Sequence, residues 1–382
     1  MVRYSGKNSF RAIRRKLTAL LLLSAAFLAY AYASGRPEWT EEKYSRGVYP
    51  AFAAIWSGFT SKLSFSIAEV LVYITALLVI IRIIHAIACF IHEQTAQGRV
   101  FYTLDLLLSG AVLATFICFL FIALWGFNYN RLPFSETSGL NAAPAPVSTL
   151  ERCCLLLAEQ TNELREHTRE DDEGNMALSV PLRNTLGRAN EGFRAAAAEF
   201  GTLGDFEPGR PKPVISSKFM SYAGITGIYF PITAEANINT DITDAEIPFT
   251  ICHELSHQLG YAREDEANFI AWITCAYSPY EDYRYSGALM ALVNMLEELR
   301  NRDAQAWGRI RGMCSPAVNG DLNAMGRYWQ LYEGPVSDIS ETINDTFLRA
   351  NGQTAGVQSY GRMVDLVIAY FRVNGLSAEQ DK

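Results

Sequence analysis

The stretch Cys252-His253-Glu254-Leu255-Ser256-His257-Gln258-Leu259-Gly260 contains two of the chain's five histidines, one helical turn apart. Residues i and i+4 share a face of a helix, so His253 and His257 can direct two imidazole nitrogens at one metal ion. Glu254 lies beside them and can face the water that such an ion activates. The stretch therefore predicts a metal-binding helix, with zinc as the expected ion and Glu254 as the general base.

The flanking sequence delimits this helix and offers a third ligand. Pro248 suits its first turn and Gly260 its end. A second helix is predicted to begin at Glu264 and to run to about Tyr277. A carboxylate at its start would complete a set of three protein ligands, which leaves a fourth position for water.

Two acidic residues compete for the role of third ligand. Glu264 and Asn268 share a face of the second helix, so Glu264 can bind the ion while the Asn268 amide orients a histidine. Glu266 points elsewhere around the helix and stays a rival ligand. The alternative is that the acidic start only complements the positive end of the helix dipole.

Upstream of the two helices, residues 228–239 alternate between apolar and polar side chains. This alternation predicts one strand with a buried face and a solvated face, and residues 214–222 are its expected partner. Pro231 lacks an N–H group, which favours a position at the sheet edge. An edge strand ahead of the metal-binding helix could hold an extended peptide by β-augmentation, although an ordinary sheet fits the pattern too.

Three apolar runs, at about 17–34, 64–91 and 106–130, predict transmembrane helices, because each is long enough to cross a hydrocarbon core of ~30 Å. The tail Met1–Lys16 carries six basic residues and no acidic one. By the positive-inside rule the N-terminus is expected in the cytoplasm. Three crossings of the cell membrane then place everything after Asn130 outside. The first run could instead be a cleaved signal peptide, which would leave the later residues on the same side.

Composition limits the classes of partner and the number of disulfides that are expected. The chain has a net charge of −7 despite its basic tail, so the remainder is strongly acidic and nucleic acid is not expected as a partner. Seven cysteines without a metal-knuckle spacing predict buried apolar side chains, with at most one or two disulfides.

The chain is expected to have three parts: a membrane domain at 1–130, a linker at 131–149 rich in turn-forming residues, and a domain at 150–382. In the last part, a capping box at Ser148 predicts a helix to about Arg169, and residues 181–200 predict another. Further helices are expected to its end. The predicted fold class is α+β, mostly helical with one small sheet.

The segments 227–237, 248–260 and 264–271 together resemble a bacterial family of membrane proteins catalogued only as a domain of unknown function. They are more distantly similar to the gluzincin zinc metallopeptidases. That resemblance implies a zincin-like domain, zinc bound by His253, His257 and Glu264, and Glu254 as catalytic base. Gluzincins often carry Asp where this chain has Asn268, and most insert more residues before the third ligand.

The expected function is that of a membrane-anchored zinc metallopeptidase acting on a peptide or protein substrate. Two alternatives stay open: a non-catalytic membrane sensor or assembly protein that keeps the same scaffold, and a zinc hydrolase of a non-peptide amide. Tyr360 and Arg362 are candidates for stabilising the transition state. The sequence indicates no particular oligomeric state.

Overall fold

Long apolar helices dominate the N-terminal third of this computed structural model, which describes residues 6–351, 353 and 362–374. In chain order the elements are α1 (Gly6–Ser34), α2 (Pro37–Trp39), a π-helical stretch (Thr40–Val48), α3 (Tyr49–Thr60), α4 (Ile67–His92), α5 (Ala96–Leu124) and a 3-10 helix (Gly126–Asn130). Three of these helices, over Phe10–Ser34, Ile67–His92 and Ala96–Leu124, are long and apolar enough to span a membrane. The prediction of three apolar N-terminal helices is confirmed.

The third span starts and ends earlier than its predicted range of 106–130. Asp105 marks the predicted start because it is charged, yet it lies inside α5, where Lys16 and Arg82 from the other two spans pair with its carboxylate. Neutralised in this way, an acidic residue can lie within a span. At the other end, the helix stops at Leu124 because the next residues turn away to pack on the C-terminal domain.

The loop between the first two spans packs against the C-terminal domain. The Glu41 carboxylate pairs with Arg131 at 2.7 Å, and the Lys212 ammonium donates to the carbonyl of Thr60 at 2.6 Å. At the start of α4, the Glu235 carboxylate accepts from the backbone N–H groups of Ile67 and Ala68. The loop and the domain therefore lie on one side of the spans, here called the domain side.

The rest of the described chain is mostly helical. Its helices are α6 (Phe134–Ser138), α7 (Val147–Arg165), α8 (Leu182–Thr185), α9 (Ala189–Glu199), α10 (Ser217–Tyr222), α11 (Ile247–Gln258), α12 (Glu264–Ala276), α13 (Glu281–Arg302), α14 (Ala304–Arg311), α15 (Pro316–Gln330), α16 (Pro335–Ala350) and α17 (Arg362–Asn374), with a 3-10 helix at Gly201–Gly204. Helices α7, α9, α11, α12, α13 and α17 surround the main apolar core. The predicted fold class, mostly helical with small sheets, is confirmed.

The strand predicted over 228–239 is a hairpin. Strand β4 (Gly227–Phe230) turns at Pro231–Ala234 and pairs antiparallel with β5 (Glu235–Ile238), and the turn places Ala234 at a φ of +50°. Strand β3 (Lys212–Pro213) pairs parallel with β5, so β4 is the edge and β5 the centre. A second, separate hairpin joins β1 (Arg169–Glu170) to β2 (Met176–Ala177).

Two parts of the strand prediction were wrong. The polar face of β5 is buried because Glu235 and Asn237 bond to the start of α4. Residues 217–222, expected as a partner strand, form α10, and the pairing strand is Lys212–Pro213.

Several helix boundaries also differ from prediction. Helix α7 begins at Val147 and ends at Arg165, with no side-chain cap from the predicted box, and residues 181–200 contain two helices rather than one. The stretch expected as a linker includes α6, in which Phe134 is fully buried. All seven cysteines are free thiols, and five are buried, as expected for small apolar side chains.

Candidate metal centre

Helix α11 carries the two histidines, and a short turn returns the chain to them. Pro248 lies in its first turn, where a missing N–H costs nothing, and the helix ends at Gln258. Gly260 follows with a φ of +88°, a left-handed conformation that glycine adopts without strain. The chain then reverses within a few residues, so that α12 begins at Glu264 beside the histidines.

Three possible ligand atoms meet between α11 and α12. The Nε2 atoms of His253 and His257 are 3.0 Å apart, and the Glu264 carboxylate lies 3.3 Å from the first and 3.6 Å from the second. All three ligand atoms lie within 4.8 Å of one another. Two imidazoles and one carboxylate are a donor set that suits zinc.

The opposite ring nitrogens have partners that orient both imidazoles. Nδ1 of His253 donates to Oδ1 of Asn268, and Nδ1 of His257 donates to the carbonyl of Tyr261, each at 2.8 Å. When each imidazole is neutral with its proton on Nδ1, as metal binding requires, both Nε2 lone pairs face the Glu264 carboxylate. Three electron-pair donors that converge in this way fit a bound cation.

The electrostatics of the cluster reflect the same convergence. Burial alone would lower the pKa of His257, but the neighbouring Glu264 carboxylate outweighs it and raises that pKa to about 9. Burial would raise the pKa of Glu264, and the charge of His257 together with hydrogen bonds from both histidines holds it well below its ordinary range. The cluster therefore stabilises positive charge beside the Glu264 carboxylate.

Glu254 lies next to the cluster and is only 3% exposed. Burial raises its pKa, and its Oε2 atom has no hydrogen-bond partner among the described residues. Strand β4 passes directly beside it: a Cβ atom at Gly227 would lie 2.6 Å from its Oε1. Only glycine leaves room at that position.

The rival carboxylate has a different place. Oε1 of Glu266 accepts from the backbone N–H of Phe134 at 2.7 Å and from the Arg263 guanidinium at 2.8 Å. Glu266 thus ties α12 to α6, on a different side of the helix from the histidines. Tyr360 and the side chain of Arg362 lie outside the described residues.

Residues near the membrane hold the end of α11, and the sequence analysis did not identify them. Trp125 Nε1 donates to the carbonyl of His257 at 3.2 Å, Tyr49 Oη to that of Gln258 at 2.8 Å, and Arg131 to that of Gly260 at 3.1 Å. A helix end needs such donors. The sequence signals the need, but not that the donors lie more than a hundred residues upstream.

Comparison with known proteins gives one match. The model of a family described as "Protein of unknown function (DUF3810)" matches residues 44–368. No curated protein and no solved structure matches the chain.

Proposed function

The chain belongs to this DUF3810 family, and we propose that it is a membrane-anchored, zinc-dependent metallopeptidase. In this proposal His253, His257 and Glu264 hold zinc and Glu254 is the general base. The expected substrate is a peptide, or a protein segment close to the membrane. The more distant likeness of its two helices to the gluzincins is part of the same proposal.

One observation carries the proposal: the three ligand atoms within 4.8 Å of one another lie beside the buried Glu254, whose Oε2 atom has no hydrogen-bond partner in the described part of the chain. A structural ion pair would need no such neighbour. A hydrolytic site needs a base close to the ion but outside the ligand set, and Glu254 has that position.

The roles of the chain's own groups follow from their contacts. Asn268 and the Tyr261 carbonyl fix the imidazoles, so that His253, His257 and Glu264 would bind the ion without rearranging. Zinc, when bound, would supply an activated water and polarise the substrate carbonyl. Oε2 of Glu254 would accept the proton of the attacking water and return it to the leaving nitrogen, and its raised pKa favours proton uptake.

The edge strand suggests how a peptide would be held. Strand β4 is the edge of its sheet, Ile228 on it is about half exposed, and its backbone passes beside Glu254. An extended peptide added to this edge would run past the general base.

The membrane arrangement is also a proposal. The basic tail favours a cytoplasmic N-terminus, which puts the domain side outside the cell membrane. Protease treatment of intact cells tests it: digestion of the C-terminal domain is expected, and protection of that domain would place it inside.

The function is tested with Glu254→Gln. The full-length chain is used because residues between 41 and 131, among them Tyr49, Trp125 and Arg131, contact the end of α11. Glu246→Gln is a matched control, since Glu246 is also buried and immediately precedes the same helix, with its carboxylate bonded to Thr243 and Trp329. We expect about one zinc per chain in all three proteins, and peptide cleavage reduced roughly 10²–10⁴-fold only in Glu254→Gln.

The remaining outcomes separate the alternatives. Absence of zinc from the wild-type chain after loading would contradict the proposal and favour a sensor or assembly protein. Zinc binding with hydrolysis of a wall or lipid amide, but not of peptides, would identify the other hydrolase.

A further inference from the structure

We propose that an apolar collar on the domain side of the spans rests in the interface of the adjacent lipid leaflet. The collar consists of exposed apolar side chains on three helices, Ile55, Trp56 and Phe59 of α3, Ile215 and Phe219 at α10, and Val336, Ile339 and Ile343 of α16. The occupant of this surface is lipid, and the inference does not depend on the proposed peptidase activity.

Helix α16 is amphipathic with its apolar stripe turned outward. Val336, Ile339 and Ile343 lie on one face and are 57%, 61% and 63% exposed. At 100° per residue, the charged positions 338, 341, 345 and 349 fall on the opposite face. An amphipathic helix with an exposed apolar face is typical of a segment that lies in a membrane interface.

The C-terminal end of this helix is attached to a span. Phe347, on the same apolar face, packs against Phe121 and Tyr129 with ring centroids 5.6 and 6.1 Å apart. Phe121 lies within the last turn of α5, which ends at Leu124. The stripe on α16 therefore begins at the level where the third span leaves the bilayer.

Helix α3 is tied to the same surface by the chain itself. Its twelve residues carry no charge; one face, with Ala53 and Ser57, packs on the protein, Ile55 and Phe59 lie on the opposite face, and the partly exposed Trp56 lies between the two faces. Six residues separate its end from the start of α4, a link of at most about 25 Å. Tryptophan at such a level is typical of the aromatic belt of membrane proteins.

Helix α10 is held at the first turn of the second span. The Glu69 carboxylate, in that turn, accepts from the backbone N–H groups of Ile215 and Ser216 at 3.0 and 2.8 Å. Ile215 and Phe219 nevertheless remain 84% and 77% exposed. Their side chains thus lie beside the end of a span without packing on protein.

Lipid explains these three surfaces better than a protein partner does. Soluble proteins rarely expose clustered apolar side chains on this scale. Each of the three helices is joined to the domain-side end of a span, by a short link or by direct contacts. A bilayer around the spans reaches all three at once, and by covering them it would fix the depth of the domain at the membrane surface.

Tryptophan fluorescence of the full-length chain in phosphatidylcholine vesicles tests the collar. Phe219→Trp and Ile339→Trp place a reporter on two of its helices. Met313→Trp is the control, since Met313 is also exposed, at 46%, but lies between α14 and α15, where its carbonyl accepts from Asn162 of α7. The fluorescence of the parent chain is subtracted from that of each variant, which leaves the signal of the added tryptophan. Quenching of this signal is measured with acyl-brominated phosphatidylcholine and with aqueous iodide.

We expect brominated lipid to lower the added signal of Phe219→Trp and Ile339→Trp about twofold, and iodide to leave it nearly unchanged. Met313→Trp should show the reverse. Quenching of either collar reporter by iodide would overturn the proposal for the helix that carries it. Resistance of both reporters to both quenchers would mean that protein, such as a second copy, covers the surface instead.

Discussion

Two buried clusters of charge in the domain differ in how their groups face one another. In the first, Arg165 donates to Asp321 at 2.7 Å and to the carbonyl of Gly174 at 2.9 Å, and Asp321 also accepts from the backbone N–H of Met176 and from the Tyr285 hydroxyl. Every donor there meets an acceptor.

In the second cluster, two imidazole nitrogens and the Glu264 carboxylate converge as possible metal ligands, and Oε2 of the adjacent Glu254 has no hydrogen-bond partner among the described residues. Burial of charge is common to both clusters, so burial alone does not distinguish a structural ion pair from a binding site. The convergence of three metal-ligand atoms beside a carboxylate oxygen that lacks a partner among the described residues does. The four predictions that follow test this distinction, from the largest expected effect to the smallest.

Removal of the carboxylate at the histidines should weaken zinc binding more than any other change to the site. We expect Glu264→Ala to weaken zinc affinity roughly a thousandfold, because one of three protein ligands is lost. Glu266→Ala is the matched control on the same helix. It should keep its zinc but unfold at a lower temperature, since Phe134 and Arg263 lose their acceptor. Metal content after dialysis measures both, and the reverse order would show that Glu266 is the ligand.

Disruption of the structural pair should affect stability and leave zinc unchanged. Asp321→Ala leaves the Arg165 guanidinium buried without its carboxylate and is expected to cost about 3–5 kcal/mol of unfolding free energy. Glu207→Ala, which breaks an exposed pair with Arg194, should cost less than about 1 kcal/mol. Denaturant titration gives both values. Loss of zinc from the folded Asp321→Ala protein would mean that the two clusters are not independent.

The metal-free protein should lose stability as the pH rises from 6.5 to about 9. The pKa of His257 is raised from its ordinary 6.5 to about 9, so its contribution is complete below 6.5 and disappears as the pH passes 9. The loss should reach about 3 kcal/mol. Melting temperatures in excess chelator measure it, and Glu264→Gln should flatten the profile. A wild-type profile that is already flat would contradict the assigned histidine–carboxylate interaction.

The smallest effect is expected for the residue that orients His253. Asn268→Ala removes the acceptor of its Nδ1 proton and should weaken zinc affinity about 10- to 100-fold with little change in fold stability. Asn268→Asp supplies a charged acceptor in the same place and should retain the affinity or improve it. Competition with a fluorescent zinc chelator measures both variants. Equal zinc affinities of Asn268→Ala and the wild type would show that Asn268 does not support zinc binding.

A good part of this molecule could be predicted from sequence because it depends on short spacings. The distance of four residues between His253 and His257, and again between Glu264 and Asn268, follows from helix geometry. Apolar runs predict three spans because a bilayer demands length and composition only. Mostly helical structure after the spans follows from periodicity in the same way.

Other features could not be predicted because they rest on contacts between distant segments. Alternation over 228–239 is the same for one long strand as for a hairpin, and the contact of Glu235 with α4 buries the face of β5 that was predicted to be solvated. From the sequence alone, the charge of Asp105 indicates the limit of a span. In the structure Lys16 and Arg82 lie beside it and neutralise that charge. The start of the third span was missed for that reason.

By itself, then, the sequence determined the local geometry: which helix carries the two histidines, which face each side chain occupies, and that the chain begins with three apolar helices. Only the tertiary structure decided that Glu264 and not Glu266 lies at those histidines, and that Trp125, Tyr49 and Arg131 hold the end of their helix. The physical reason is that a helix specifies positions only relative to its own axis. What faces that helix depends on how segments far apart in the chain satisfy each other's buried polar groups.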